Sequence, residues 1–334
     1  MGRVLLKGFV LLCAATLIGT LHLLLYLFLP AELEAPQQEI LIPRGSSFKE
    51  VVQILEEGGL LRHPLPFFLY GELTGRAQRI RAGEYRLSAA LSPLEIMARL
   101  VEGRVILRKV TIPEGLTFRQ IALLLKGQGI IEDEGDFLRL CRDPSFAHSL
   151  GVEARGLEGY LFPDTYLFSR GLGAQEVIRA MVANFHRIWR PEFSERAKEL
   201  GLTDYEVLIL ASIIEKETSR PEERPLISAV FHNRMRRRMP LQSDPTVIYG
   251  LEDFDGNLTR EDLRRSTPYN TYLFVGLPPT PICNPGRDSI LAALYPAPVD
   301  YLYFVSRNDG THHFSSTLKE HNRAVLRYQK RRLK

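Results

Sequence analysis

The chain has 334 residues, 45% of them hydrophobic, and 43 basic against 39 acidic residues leave a formal net charge of +4. Such a length allows two domains or one large domain with a sizeable core. So mild a charge excludes a nucleic-acid partner, because proteins that bind nucleic acids concentrate their basic residues in patches. The one dense basic cluster, residues 234–239, is interpreted as a solvated helix end.

The first predicted element is an apolar helix over residues 8–29, which contain no Asp, Glu, Lys or Arg. As a helix this stretch of about 22 residues is about 33 Å long, enough to cross a bilayer. A cleavable signal peptide would have a shorter apolar region and a small-residue cleavage site. Because Arg3 and Lys7 precede the helix, the positive-inside rule predicts a single-pass anchor in the cytoplasmic (inner) membrane, with the N-terminus inside.

Two later segments repeat each other in kind, "IPRGSSFKEVVQILEEGGLL" and "IPEGLTFRQIALLLKGQGII". Each opens with an extended piece and a Pro-x-Gly turn, after which Ser47 or Thr117 is predicted to cap an amphipathic helix that ends at Gly. A looser relative has its cap at Ser92. The pattern predicts packed β-plus-α units over residues 38–150. These units resemble a LysM-type module, a small fold that binds glycan chains, and the alternative is a plain structural spacer.

Thr203 and Glu206 form a predicted capping box, so a helix is expected to begin near Asp204 and to contain the run "LILASIIEKET". Glu215 extends an apolar stripe of this helix and lies in its last turn. Apolar neighbours and the negative end of the helix dipole both favour the protonated carboxyl. A general acid for glycosidic cleavage needs such a group. The alternative for Glu215 is a partly buried ion pair.

Glu217 is set aside as the acid, because two residues along a helix correspond to a rotation of about 200° and the two carboxyls cannot face one substrate. The acids that could assist Glu215 are Glu158, Asp164 and Asp244, unless they only make loop hydrogen bonds. His312 and His313 lack a metal-ligand spacing, so neither a metal nor another cofactor is expected. Two cysteines, Cys141 and Cys283, are interpreted as free and buried, although they could pair.

Several motifs occur in one order along almost the whole chain: "LEGYLFPDTY", "LILASIIEKET", "VFHNRM", "LQSDPTVIYGL", "TPYNTYLFVGLPPTPICNPGRDSI" and "YLYFVSRNDGTHHFSSTLKEHN". Together they resemble the YceG-like family of endolytic murein transglycosylases. This resemblance implies cleavage inside peptidoglycan strands, between N-acetylmuramic acid (MurNAc) and N-acetylglucosamine (GlcNAc). It also implies a 1,6-anhydroMurNAc product, termination of nascent strands and contact with peptidoglycan synthases.

The resemblance places the catalytic glutamate at the first acid of "EKET", which is Glu215, and places two loop motifs at the catalytic cleft. Their amides, hydroxyls and Tyr rings suit sugars. The candidate substrate-binding residues are Gln242, Ser243, Asp244, Asn270, Thr271, Tyr272, Glu158 and Asp164.

The expected fold is α+β, with a cytoplasmic tail and transmembrane helix in residues 1–30, the LysM-like module, and a larger mixed α+β catalytic domain in residues 151–334. Two alternatives to a transglycosylase remain. One is a membrane-tethered glycan-binding scaffold without catalysis, and the other is a muramidase, a hydrolase that would leave a reducing sugar end.

Overall fold

A computed structural model describes residues 2–330, with the side chains of all but residues 2–7, 10–12, 15, 22, 24 and 330. The helices are α1 (Gly2–Phe28), α2 (Phe48–Glu57), α3 (Pro64–Leu73), α4 (Pro93–Glu102), α5 (Phe118–Gly127), α6 (Glu134–Cys141), α7 (Pro144–Ser149), α8 (Ala174–Ile188), α9 (Pro191–Glu199), α10 (Asp204–Glu217), α11 (Arg224–Arg236), α12 (Asp244–Tyr249), α13 (Arg287–Leu294) and α14 (Leu318–Val325). The strands are β1 (Gln38–Ile42), β2 (Gly83–Leu87), β3 (Arg108–Thr111), β4 (Thr165–Phe168), β5 (Tyr303–Ser306) and β6 (His312–Ser315). They form three two-stranded sheets, β1 with β2, β3 with β4 and β5 with β6. The predicted α+β class is confirmed.

Helix α1 covers nearly all of the predicted membrane anchor. Within the residues that the structure describes, however, no helix combines the length and the apolar character needed to cross a membrane. The predicted transmembrane helix over residues 8–29 is therefore not supported by this part of the structure.

The chain divides into two compact units that alternate along the sequence. The first unit comprises Met1–Val110, Leu125–Glu132 and Leu167–Gly173, and the remaining residues form the second. The predicted boundaries of the module and the catalytic domain stay predictions.

In the first unit, β1 and β2 pair antiparallel, with Gln38 opposite Leu87 and Ile42 opposite Gly83. Helices α2 and α3 lie between these strands in sequence, and α4 follows them. The buried core of this unit contains Leu55 of α2, Phe67 of α3 and Leu100 of α4, all fully buried. The apolar side chains predicted to share one face of α2 thus pack together inside the unit.

The predicted helix caps of the repeats are present. Ser47 and Ser92 each form a complete capping box with the Glu three residues later. Thr117 Oγ1 accepts the backbone N–H of Gln120 at 3.2 Å, and the Gln120 side chain accepts the N–H of Thr117 at 3.0 Å. Local capping chemistry therefore sets where these short helices begin.

The second unit is built around α10, which begins at Asp204 behind the predicted capping box of Thr203 and Glu206. Every residue from 207 to 214 is buried. The helix packs against α9, α11, α12 and α13, so it is covered on all sides. This explains why the run is apolar around the whole helix and not only along one stripe.

Gly159 and Gly201 allow a matched test of packing against this core. Both have a left-handed backbone, with φ of 90° and 73°. A methyl group at Gly159 would lie 2.7 Å from the Pro281 ring and 3.1 Å from Leu208 of α10, whereas one at Gly201 would meet nothing within 4 Å.

We expect Gly201→Ala to lower the free energy of unfolding by about 1 kcal/mol through backbone strain alone. Gly159→Ala should add an overpacking cost of about 1–3 kcal/mol to that strain. Denaturant unfolding of the full-length chain measures both, and equal losses would contradict the close packing at Gly159.

Candidate active site at the end of α10

The side chain of Glu215 is enclosed by polar partners and is only 7% exposed. Its Oε1 lies 3.3 Å from Nη2 of Arg224, and its Oε2 accepts the backbone N–H of Gly286 at 3.0 Å. Arg224 also lies 3.5 Å from the carboxylate of Glu114 and 3.6 Å from that of Asp288. A guanidinium and a backbone N–H both stabilise a charged carboxylate. Glu215 thus makes the ion pair that the sequence left open as its alternative.

Glu217 lies on another side of the same helical turn and has a different environment. It is partly buried, and Ser243 Oγ donates a hydrogen bond to its Oε1 at 2.5 Å. Burial raises the pKa of Glu217 to about 7, and the neighbouring carboxylate of Asp244 acts in the same direction. The Ser243 hydrogen bond and the Arg234 guanidinium oppose the rise. A carboxyl of this kind exchanges its proton near neutral pH.

Five of the predicted substrate-binding residues meet beside Glu217. The N–H of Gln242 donates to the carbonyl of Thr271 at 3.0 Å, and the N–H of Ser243 donates to Thr271 Oγ1 at 3.0 Å. Tyr272 donates its hydroxyl hydrogen to Asp244 Oδ1 at 2.6 Å. The two loop motifs, far apart in sequence, are therefore joined to each other and to Glu217 through Ser243.

Asn270 supports this arrangement from inside. It is fully buried, and its amide donates to the carbonyls of Leu263 and Arg265 at 3.1 and 2.8 Å. Its side-chain oxygen accepts the N–H of Tyr272 at 3.0 Å. The contacts of Asn270 are thus those of a residue that shapes the loop.

Arg234, which the sequence did not single out, holds the other loop. Its Nη1 donates to the Leu241 carbonyl at 2.8 Å and to Gln242 Oε1 at 3.3 Å, and its Nε donates to the Leu302 carbonyl at 2.7 Å. Gln242 has a left-handed backbone with φ of 51°. The basic cluster, interpreted as a solvated helix end, therefore begins with a buried arginine, and its other arginines are exposed.

Glu158, another predicted site residue, is 6% exposed and has three donors around it. The N–H of Phe118 and the amide of Asn284 donate to its Oε1 at 3.0 and 2.9 Å, and the Tyr249 hydroxyl donates to its Oε2 at 3.0 Å. Burial raises the pKa of Glu158 to about 8, against these hydrogen bonds. Glu158 lines a cavity of about 790 Å³ that Lys216 also lines.

Asp164 lies elsewhere. Its Oδ2 accepts the Asn184 amide at 2.9 Å, and its Oδ1 accepts the N–H of Thr165 at 2.7 Å. Across the described residues, no hydrogen bond joins Asp164 or Glu158 to Glu215 or Glu217.

The remaining reactive side chains have local partners. Cys141 and Cys283 are both buried and free, as interpreted from the sequence. His312 Nδ1 lies 2.6 Å from the carboxylate of Glu223. Among the residues that the structure describes, no group of three or more His, Cys, Asp and Glu side chains could hold a metal ion.

The buried carboxyl of Glu158 predicts a pH dependence of stability. Its pKa of about 8 in the folded chain lies above the ordinary value of 4.5. The folded chain therefore binds this proton more tightly than the unfolded chain, and stability falls as the pH rises from the ordinary value toward about 8.

Glu158→Gln keeps an acceptor for Phe118 and removes the titration, so its thermal midpoint should fall less between pH 5 and pH 8 than that of the unchanged chain. If the thermal midpoints of the Glu158→Gln chain and the unchanged chain varied with pH in parallel, this titration would be ruled out. Glu192→Gln, at an exposed carboxyl of α9, is the control.

Comparison with known proteins shows which family the chain resembles. A model of the YceG-like family matches residues 40–327. A protein of Bacillus subtilis (strain 168) named endolytic murein transglycosylase is 33% identical over 303 residues, which cover 86% of this chain and 83% of that protein. A protein of the same name from Streptococcus pneumoniae serotype 2 (strain D39) is 32% identical over 323 residues, covering 86% of this chain. The chain spans only 57% of that relative's length.

A solved structure agrees with the sequence comparisons. The crystal structure of a yceG-like protein from Listeria monocytogenes superposes with a TM-score of 0.60 at 34% identity, and covers 86% of this chain and 98% of that one. The family resemblance found in the motifs is confirmed, and the predicted enzyme class, a lytic transglycosylase, agrees with the names of the relatives. The chain belongs to the YceG-like family.

Proposed function

We propose that this chain is a peptidoglycan lytic transglycosylase that cleaves the β-1,4 bond between MurNAc and GlcNAc inside glycan strands. The observation that carries this proposal is the carboxyl of Glu217, whose pKa is raised to about 7 among Ser243, Asp244 and Tyr272. A proton donor of that acidity, next to hydroxyl and carboxylate groups suited to sugar, fits glycosidic cleavage. The names of the relatives support the same substrate.

Within this proposal, Glu217 takes the role that the sequence assigned to Glu215. Glu215 is paired with Arg224 and accepts the Gly286 N–H, so both of its carboxylate oxygens have partners within the unit. Of the predicted loop residues, Ser243 is hydrogen-bonded to Glu217, and its neighbour Asp244 is bonded to Tyr272. Within the described residues, no hydrogen bond joins these loop residues to Glu215. Side chains two residues apart on a helix differ in direction by about 200°. The ion pair of Glu215 and the contact between Glu217 and Ser243 therefore lie on different sides of α10.

The reaction needs one carboxyl for two proton transfers. Protonated Glu217 donates to the glycosidic oxygen as its bond to C1 of the muramyl sugar breaks, and GlcNAc leaves with a free hydroxyl. The resulting carboxylate takes the proton from the C6 hydroxyl of the same muramyl sugar. The C6 oxygen then bonds to C1, which closes the 1,6-anhydro ring and restores the protonated acid without water.

A muramidase is the second candidate, because a hydrolase needs another carboxylate and Asp244 lies beside Glu217. Asp244 accepts the hydroxyl hydrogen of Tyr272, which holds its side chain in position. In a transglycosylase, Asp244 would stabilise the positive charge that develops on the sugar. The mass of the product separates the two candidates, because hydrolysis adds one water.

We expect the full-length chain in detergent to convert purified glycan strands into fragments with anhydro ends, one water lighter than hydrolysis products. Glu217→Gln should lower the rate by about a hundredfold or more, since general acid–base catalysis contributes about 10²–10⁴. Glu215→Gln should retain turnover but unfold at a lower temperature, because it weakens a buried ion pair. Mass spectrometry of the products and thermal unfolding measure these effects.

The reverse result, with Glu217→Gln active and a folded Glu215→Gln inactive, would show that Glu215 is the catalytic acid. Products with reducing ends would favour the muramidase. Strand binding by the unchanged chain without any cleavage would favour the catalytically inactive scaffold.

We further propose that residues 1–30 anchor the chain in the cytoplasmic membrane, with the catalytic residues outside, where it terminates nascent strands near peptidoglycan synthases. The support is the run of about 22 residues without Asp, Glu, Lys or Arg, whose length suits a bilayer. Confinement to the membrane would keep the active site close to new strands.

Bacterial cells that lack the protein should then contain longer glycan strands. The full-length chain should restore their length, and a chain in which a cleavable export signal replaces residues 1–30 should not. Chromatography of strands released from cell walls gives the length distribution. Full restoration by the unanchored chain would argue against a role for the anchor.

A further inference from the structure

The cavity beside Glu158 has a size typical of ligand sites, about 790 Å³. Aromatic rings of Phe118, Tyr205, Tyr249 and Tyr269 line it. Glu158 binds both the N–H of Phe118 and the hydroxyl of Tyr249, which fixes two of these walls. The cavity therefore belongs to the second unit, and hydrogen bonds to Glu158 hold part of its aromatic lining in place.

Four cations surround this cavity: Arg119, Arg142, Arg155 and Lys216. All four are exposed, and within the described part of the chain none of them forms an ion pair. The guanidinium of Arg142 lies 5.5 Å above the Phe118 ring, and Lys216 donates to the Gly115 carbonyl at 3.3 Å.

Two acids also line the cavity, and they leave its charge positive. Glu158 is buried, and its pKa of about 8 keeps it mainly protonated at neutral pH. Glu252 is exposed and is the second acid. Unpaired cations around an aromatic cavity attract a ligand that carries carboxylates.

The cavity lies one short helix away from the proposed acid. Helix α12 begins at Asp244, beside Glu217, and ends at Tyr249, which lines the cavity. Six residues of helix span about 9 Å. Lys216, which also lines the cavity, is the residue before Glu217.

We propose that this cavity binds the stem peptide of the muramyl residue that lies at Glu217. The inference rests on the proposed function, because only a peptidoglycan strand at the active site would place such a peptide there. A stem peptide leaves the lactyl group of MurNAc, carries free carboxylates and has small apolar side chains. Its first three residues, when extended, cover about 10 Å, which matches the length of α12.

The test compares two substrates on the full-length chain in detergent. One is uncrosslinked glycan strands with their stem peptides, and the other is the same strands after an amidase has removed the peptides. The variant Arg119→Gln/Arg155→Gln removes two of the cavity's charges. The matched control, Arg190→Gln/Arg237→Gln, removes two exposed charges that do not line the cavity.

On peptide-bearing strands the cavity variant should raise KM about tenfold with little change in kcat, the effect of losing charge-assisted contacts. On peptide-free strands it should behave like the unchanged chain, which also shows that it is folded. The control should match the unchanged chain on both substrates.

An equal rise in KM on both substrates would overturn the proposal and identify the cavity as a glycan site. An unchanged KM on both would overturn it as well. Failure of the proposed function has a different signature, because the unchanged chain would then release no anhydro ends from either substrate.

Discussion

The site depends on how the last turn of α10 directs its side chains. The helix is buried from Val207 to Ile214, and its charged residues lie only in its first turn and beyond Ile214. There, Glu215 meets the buried guanidinium of Arg224, whereas Glu217 meets the hydroxyl of Ser243. Glu215 is thus bonded to a cation and a backbone N–H, whereas burial raises the pKa of Glu217.

Around this turn, the polar side chains of the unit make two kinds of contact. Arg234 and Asn270 donate hydrogen bonds to backbone carbonyls and hold the two loops in place. Ser243, Asp244 and Tyr272 direct their side chains toward Glu217 or toward each other. Rigid support of this kind keeps the partly buried carboxyl of Glu217 in position in both of its protonation states.

Local sequence signals predicted much of the fold. The capping boxes at Ser47, Ser92 and Thr203 fixed where helices begin, because a cap involves residues only three apart. The loop residues beside Glu217 were named from the sequence because the motifs that contain them are distinctive, and their role in binding substrate stays a prediction. Their joining through Thr271 was not predictable from spacing alone.

The catalytic role predicted for Glu215 stays a prediction, and the role proposed for Glu217 depends on contacts that the sequence does not show. Helix periodicity gives the angle between the two side chains but not which direction faces solvent or substrate. Arg224 follows in the next helix, and Gly286 is 71 residues away from Glu215. The alternation of the two units along the chain was equally hidden, because it results from contacts between distant segments.

Gln242 has a backbone conformation that is unfavourable for a residue with a side chain. A left-handed backbone at a residue with a Cβ costs about 1 kcal/mol or more, and glycine would remove that cost. Glycine, however, has no amide for Arg234 to bind. At this position, the backbone and the side chain therefore have opposite requirements, so a glycine that relieved the backbone strain would also remove one of the contacts through which Arg234 holds the loop.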